Sequence, residues 1–228
     1  MRRRQYLALA GGTSATALSG CLGMLSSGNG NTHLSAPDRE YDTEDLPYPG
    51  HGAELPSVDL AAPLRDETVS TTQFEDRDVV MTFIYTHCNT MCPRLTSALR
   101  NVQTHSVEQG YADDVVFLAV TFDPVRDTAE RFRAYAEEMN VDLDAGNWYF
   151  LRPESEKRAK EVVQDTFGVV YEKTHPKKMD MYMYTHSGVV LLANQKGYVE
   201  RSYRETSNGA LVWQDVRDDL KTVRQSES

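Results

Sequence analysis

From residue 54 onward, apolar blocks alternate with short polar breaks. "SVDLAAPLRDETVSTTQF" (57–74) alternates and turns, which predicts a short β-hairpin. "VVMTFIYT" (79–86) and "DVVFLAVTF" (114–122) are unbroken apolar runs rich in β-branched and aromatic residues. Such runs predict strands buried on both faces. Between them Leu95, Leu99 and Val102 fall at helical spacing and Gly110 supplies a stop, so a helix is expected over 93–110. "DTAERFRAYAEEMN" predicts a second helix with Asp127 or Thr128 at its start, Asp127 being the expected N-cap. "NWYFLR" reads as a short strand and "SEKRAKEVVQDTFG" as a third helix ending at Gly168. "THSGVVLLANQKGYVERSYR" reads as a hairpin turned at "NQKG", and "ALVWQDVRDDLKTV" as a closing amphipathic helix.

This order of elements implies an α/β sandwich around a central mixed sheet. Ligands of such sheets bind beyond the carboxyl ends of the parallel strands. Cys88 lies just past the end of one buried run, and Asp123 just past the end of the next.

Before residue 54 the periodicity is absent. "MRRRQYLALAGGTSATALSGC" has a basic start, a modestly apolar stretch and then Cys21. The stretch is too short and too polar to span a bilayer and has the layout of an export signal. "RRQYL" is similar to a twin-arginine signal, and "LSGC" to a lipobox in which Cys21 carries lipid. The expected organisation is a signal over 1–21, a flexible tether over 22–53 and one domain over 54–228. The protein is then expected outside the cell, anchored to the outer face of the cytoplasmic membrane. His33 and His51 are expected to be solvated tether residues.

Composition narrows the function classes. The formal net charge is -10, from 34 acidic and 24 basic residues. That argues against nucleic acid, whose phosphates need a basic footprint. It suits a high-salt environment as well as it suits any soluble acidic protein. Apart from Cys21, the chain has only Cys88 and Cys92. One pair in a domain of this length is no disulfide scaffold, and closing so short a loop stabilises little. The pair therefore points to chemistry, either redox exchange or metal binding.

In "YTHCNTMCPRL" Cys88 leaves a strand and Cys92 enters a helix, with Pro93 in the first turn. A helix start stabilises a thiolate, and a spacing of four lets both sulfurs share one side. Two thiolates suit a soft ion but leave a site incomplete. His186, in a loop-like stretch before a buried strand, is the candidate third ligand. The commoner reading of such a histidine is a packed or surface residue. His175 and His105 are expected to be exposed, and His87 to point away from Cys88. Met179, Met181 and Met183 alternate as an extended strand would, and packing explains them better than copper ligation does. Met91 is expected to pack. Asp123 is placed to orient a ligating histidine or to accept a hydrogen bond near the cysteines.

"FIYTHCNTMCPRL", "VTFDPVRDT" and "THSGVVLLANQKG", in this order, resemble the Sco/SenC family of copper-binding, thioredoxin-like proteins. The likeness runs over about 54–225, and three separated motifs make it specific. It implies a thioredoxin-like fold, an α/β sandwich with an N-terminal hairpin extension. It also implies one copper ion, Cu(I) or Cu(II), on Cys88, Cys92 and His186, with Asp123 in support. The implied partner is the subunit of cytochrome c oxidase that carries the dinuclear copper centre. The implied role is to deliver copper to that centre or to reduce its thiols. Asn89 departs from the family's frequent proline. The rival readings are a thiol-disulfide oxidoreductase, with Cys88 and Cys92 as a redox-active disulfide, and a copper or redox sensor. CxxxC spacing and the absence of a proline near His186 favour metal.

Overall fold

The computed structural model describes residues 30–38, 43–177, 179–204 and 211–227. Cys21 and the export motifs lie outside them. Strands β1 (Asp59–Ala62) and β2 (Glu67–Ser70) form the expected hairpin. The central sheet has β3 (Asp78–Ile84), β4 (Val115–Thr121), β5 (Trp148–Leu151), β8 (Val189–Ala193) and β9 (Val199–Arg204) in the order β5-β4-β3-β8-β9. β3, β4 and β5 run parallel, and β8 and β9 join antiparallel. β6 (Tyr171–Thr174) and β7 (Met183–His186) pair as a separate ribbon. The helices are α1 (Met91–Glu108), α2 (Ala129–Met139), α3 (Glu156–Lys160) and α4 (Trp213–Glu227). α3 runs on into a π-helical turn over Glu161–Thr166. Among the described residues no helix is long and apolar enough to cross a membrane.

Every residue of β3 and β4 is buried, as their unbroken apolar runs require. α1 covers them with Leu95, Leu99 and Val102, and packs in turn against α2 and α4. The register pairs Ile84 with Thr121, so the two central strands end level. Phe122 N–H donates to Ile84 O at 3.1 Å, one residue beyond the ladder. The loop carrying Cys88 and the turn carrying Asp123 therefore leave the sheet side by side.

Part of the expected tether belongs to the domain. Leu34 and Tyr48 are buried. The backbone N–H groups of His33 and Leu34 donate to the fully buried Glu200 carboxylate at 2.9 Å each. His51 Nε2 lies 2.9 Å from Leu34 O, and Gly52 N–H donates to Val199 O at 2.8 Å. A buried carboxylate needs donors, and this segment supplies them. His33 and His51 are accordingly half-buried rather than solvated.

Gly168 shows how closely the segment lies. Its φ is +66°, and an added Cβ would stand 1.4 Å from Pro47 O. Gly168→Ala is expected to cost at least ~2 kcal/mol, from left-handed backbone and a forced shift of Pro47. Urea unfolding measures it, and a loss below ~0.5 kcal/mol would contradict the close approach.

Candidate metal centre

Three elements bring the centre together. β3 ends at Ile84, and the chain turns so that Cys88 N–H donates to Tyr85 O at 3.2 Å. Cys92 is the second residue of α1, completely buried, and its Sγ accepts from Tyr85 N–H at 3.4 Å. His186 ends β7, paired with Tyr171 of β6. Its Nε2 stands 3.3 Å from Cys92 Sγ and 3.9 Å from Cys88 Sγ. Nδ1 faces Ser187 O at 3.3 Å. Phe122 and Tyr85 flank the imidazole, with ring centroids 5.0 and 5.9 Å away. The two sulfurs and one imidazole nitrogen lie within 4.8 Å of one another, close enough to share one ion.

The two sulfurs differ. Thr90, at the N-cap of α1, makes no side-chain capping bond. Cys88 Sγ occupies that place instead and receives Cys92 N–H at 3.5 Å. The Cys92 thiol, the His186 ring, Thr90 Oγ1 and the Cys92 amide all favour the Cys88 thiolate over the opposing effect of burial. Its pKa is pulled down to about 2. Cys92 moves the other way, raised by burial first and then by the neighbouring Cys88. Cys88 is thus the sulfur favoured to ionise and Cys92 the one favoured to keep its proton. Alkylation of the reduced, metal-free protein by iodoacetamide is expected at Cys88 first. Its rate should stay flat from about pH 8 to 6, where a free cysteine slows about tenfold per unit. A tenfold fall per unit at Cys88 would contradict the assignment.

The turn after β4 supports both arms of this centre. Thr128 is the N-cap of α2, its Oγ1 accepting from Arg131 N–H, so Asp127 is not the cap the sequence suggests. Asp127 is instead fully buried and accepts from Thr86 N–H at 3.2 Å, from Thr86 Oγ1 at 2.6 Å and from Thr121 Oγ1. Arg131 closes this network, donating to Thr86 Oγ1 and Thr86 O at 3.0 Å. Together they pin Thr86, two residues ahead of Cys88.

Asp123 also departs from expectation. It accepts from Arg126 Nε at 2.5 Å and from Tyr182 OH at 2.8 Å, and it has no hydrogen bond to His186 or to either cysteine. Its reach to the centre is through β7. His87, Asp123 and Asp127 form a second group within 4.8 Å, with His87 Nδ1 3.7 Å from Asp127 Oδ1. Its carboxylate oxygens are already engaged by Thr86, Thr121, Arg126 and Tyr182, which leaves the first group as the better donor set.

Other residues fall as follows. Met91 packs, its Sδ lying under Gly188, where a Cβ would come within 2.4 Å. Of the three alternating methionines only Met183 lies in a strand, while Met179 and Met181 are exposed in the loop between β6 and β7. His175 is exposed, and His105 is half-buried against Tyr111 OH, 2.7 Å away.

The chain matches the SCO1/SenC family model over residues 63–221. It is 26% identical to the SCO1 protein homolog of Bacillus subtilis over 62% of this chain and 68% of that protein. It is similar to the copper-bound ScoI of Arabidopsis thaliana, at TM-score 0.60 and 22% identity, covering 76% of this chain and 99% of that one. It is also similar to BsSco, a member of the Sco family of cytochrome c oxidase assembly proteins with an identified disulfide switch. There the TM-score is 0.58 at 20% identity, covering 78% of this chain and 96% of that one. The fold is thioredoxin-like, with its mixed sheet flanked by helices. With the three motifs inside the matched region, the chain belongs to the SCO1/SenC family.

Proposed function

We propose that this protein binds one copper ion on Cys88, Cys92 and His186 and delivers it to the dinuclear copper centre of cytochrome c oxidase. The observation that carries the reading is the convergence of two soft sulfurs and one imidazole from three separate elements. Two thiolates and one nitrogen favour Cu(I) over harder divalent ions, since soft donors select soft ions. The likeness of "LSGC" to a lipobox supports a lipid anchor at Cys21 on the outer face of the cytoplasmic membrane, which would keep the domain near a membrane-bound oxidase.

The chemistry is ligand exchange. His186 is half-buried whereas the sulfurs are nearly covered, so an incoming thiolate meets the ion from the imidazole side. The imidazole would be exchanged first for a partner thiolate, and the bonds to Cys88 and Cys92 would then break in turn as further partner ligands form theirs, with the two sulfurs taking up protons and the ion keeping its oxidation state. Oxidation would end binding. Bound as thiolates, Cys88 and Cys92 would give two electrons, and no protons, to an external two-electron oxidant such as a disulfide, join as a disulfide and release the ion.

A second reading, reduction of an oxidised cysteine pair in the oxidase to its thiols, draws on the unequal sulfurs. A Cys88 thiolate beside a Cys92 thiol is the pairing of an attacking and a resolving cysteine. The two readings separate when Cu(I)-loaded protein is mixed anaerobically with the reduced, copper-free oxidase domain. Delivery predicts assembly of the copper centre and emptying of this protein. Retained copper, together with reduction of an oxidised oxidase domain by the copper-free protein, would favour the second.

A further inference from the structure

His186 reaches the cysteines from a ribbon that has no ladder pairing with the five-stranded sheet. Two-stranded ribbons are marginal alone, so side chains must hold this one in place. Tyr184 is buried against Tyr85, Phe122 and Tyr171, and Tyr85 OH meets both its N–H and its carbonyl at 3.3 and 3.4 Å.

Tyr182, one residue before β7, is held at three points. Its hydroxyl donates to Asp123 Oδ1 at 2.8 Å. Its carbonyl accepts from Arg126 Nη1 at 2.9 Å. Its ring lies under the Arg126 guanidinium, 3.7 Å from centroid to Cζ, with Lys173 Nζ at 4.0 Å. Asp123 is fully buried and joined to Arg126 through Nε, so little water weakens the grip. Asp123, Arg126 and Asp127 belong to one turn, and Asp127 holds the cysteine arm through Thr86. That turn therefore spans both halves of the centre.

We propose that Tyr182 is a positioning residue: gripped by Asp123 and Arg126, it fixes β7 at the depth where the His186 imidazole stands over the two sulfurs, and so sets how firmly copper is retained. This rests on the copper-binding reading above. With the grip loosened, the imidazole leaves more often and two sulfurs hold the ion alone. The vacated position then takes an incoming ligand sooner.

The test uses the full chain, reduced, with Tyr182→Phe in wild-type and His186→Ala backgrounds. Phenylalanine keeps the ring under Arg126 and removes only the hydroxyl. Thermal unfolding confirms that each variant folds, and Arg126→Lys serves as a second lesion of the same grip. A hydrogen bond to a buried charged group supports an effect of about tenfold. Tyr182→Phe should bind Cu(I) about tenfold more weakly, and a competing chelator should strip it about tenfold faster. Neither change should appear once His186 is alanine, because the effect runs through that ring.

A metal-free arm follows iodoacetamide alkylation of Cys88, whose Sγ lies 3.9 Å from His186 Nε2. Tyr182→Phe should accelerate it about threefold, and again only when His186 is present. No acceleration, or the same change in the His186→Ala background, overturns the role assigned to Tyr182. Wild type that takes no Cu(I) tightly would overturn the copper reading instead, leaving the alkylation arm to decide the grip.

Discussion

Cys92→Ser is expected to weaken Cu(I) binding by about a thousandfold or more, ~4 kcal/mol, while the fold survives. Cys92 is completely buried, and its sulfur is the one closer to His186 Nε2, at 3.3 Å. A serine hydroxyl is hard, stays protonated and reaches less far. It still accepts the Tyr85 N–H that now points at sulfur, so no backbone donor is orphaned. Loss of a group that only supports a ligand typically costs 10- to 100-fold, and loss of a soft ligand itself should exceed it. Competition against a Cu(I) chelator, read beside the melting temperature, separates the effects. Binding within about tenfold of wild type would remove Cys92 from the ligand set.

Asp127→Ala is expected to destabilise the domain by about 3–5 kcal/mol. The carboxylate is wholly buried and takes donors from Thr86 and Thr121, with Arg131 stacked behind through Thr86. Alanine strands those donors away from water and frees the approach to Cys88. Asp127→Asn keeps the shape but turns an amide N–H₂ toward groups that already donate, so it should fall between. Urea unfolding measures the loss. A cost under ~1 kcal/mol would mean that the loop before Cys88 is held by something else.

Much of the sheet is legible in the chain because β3 and β4 are covered on both faces. Their apolar runs are unbroken, and only a buried strand accounts for them. The cysteine arm is legible for a related reason, since both residues lie within one strand-to-helix turn. The histidine arm is not. "YEKT" of β6 is short and charged and buries no residue fully, and its partner β7 buries only Tyr184 fully. Neither offers a pattern to read, so His186 looks like a loop residue when it ends a strand.

The acidic turn misleads in another way. Asp127 sits where an N-cap belongs, but Thr128 next to it is the cap. The choice between them is made by Thr86 and Thr121, which are distant or unremarkable in sequence. Likewise Asp123 is rightly placed at the sheet's carboxyl edge. Yet Arg126 and Tyr182 claim both its oxygens. The segment before residue 54 lacks periodicity because Leu34 and Tyr48 are too far apart to show any. Their burial is visible only once Glu200 and Gly168 are in place.

The proposed copper site stands on Cys88, Cys92 and His186 together. Anaerobic titration of the reduced protein with Cu(I), against a chromogenic chelator, tests it most directly. One tight equivalent is expected in wild type, with its near loss in Cys88→Ser and Cys92→Ser and a weaker single equivalent in His186→Ala. Wild type that binds no Cu(I) tightly, or His186→Ala that binds as well as wild type, would contradict it.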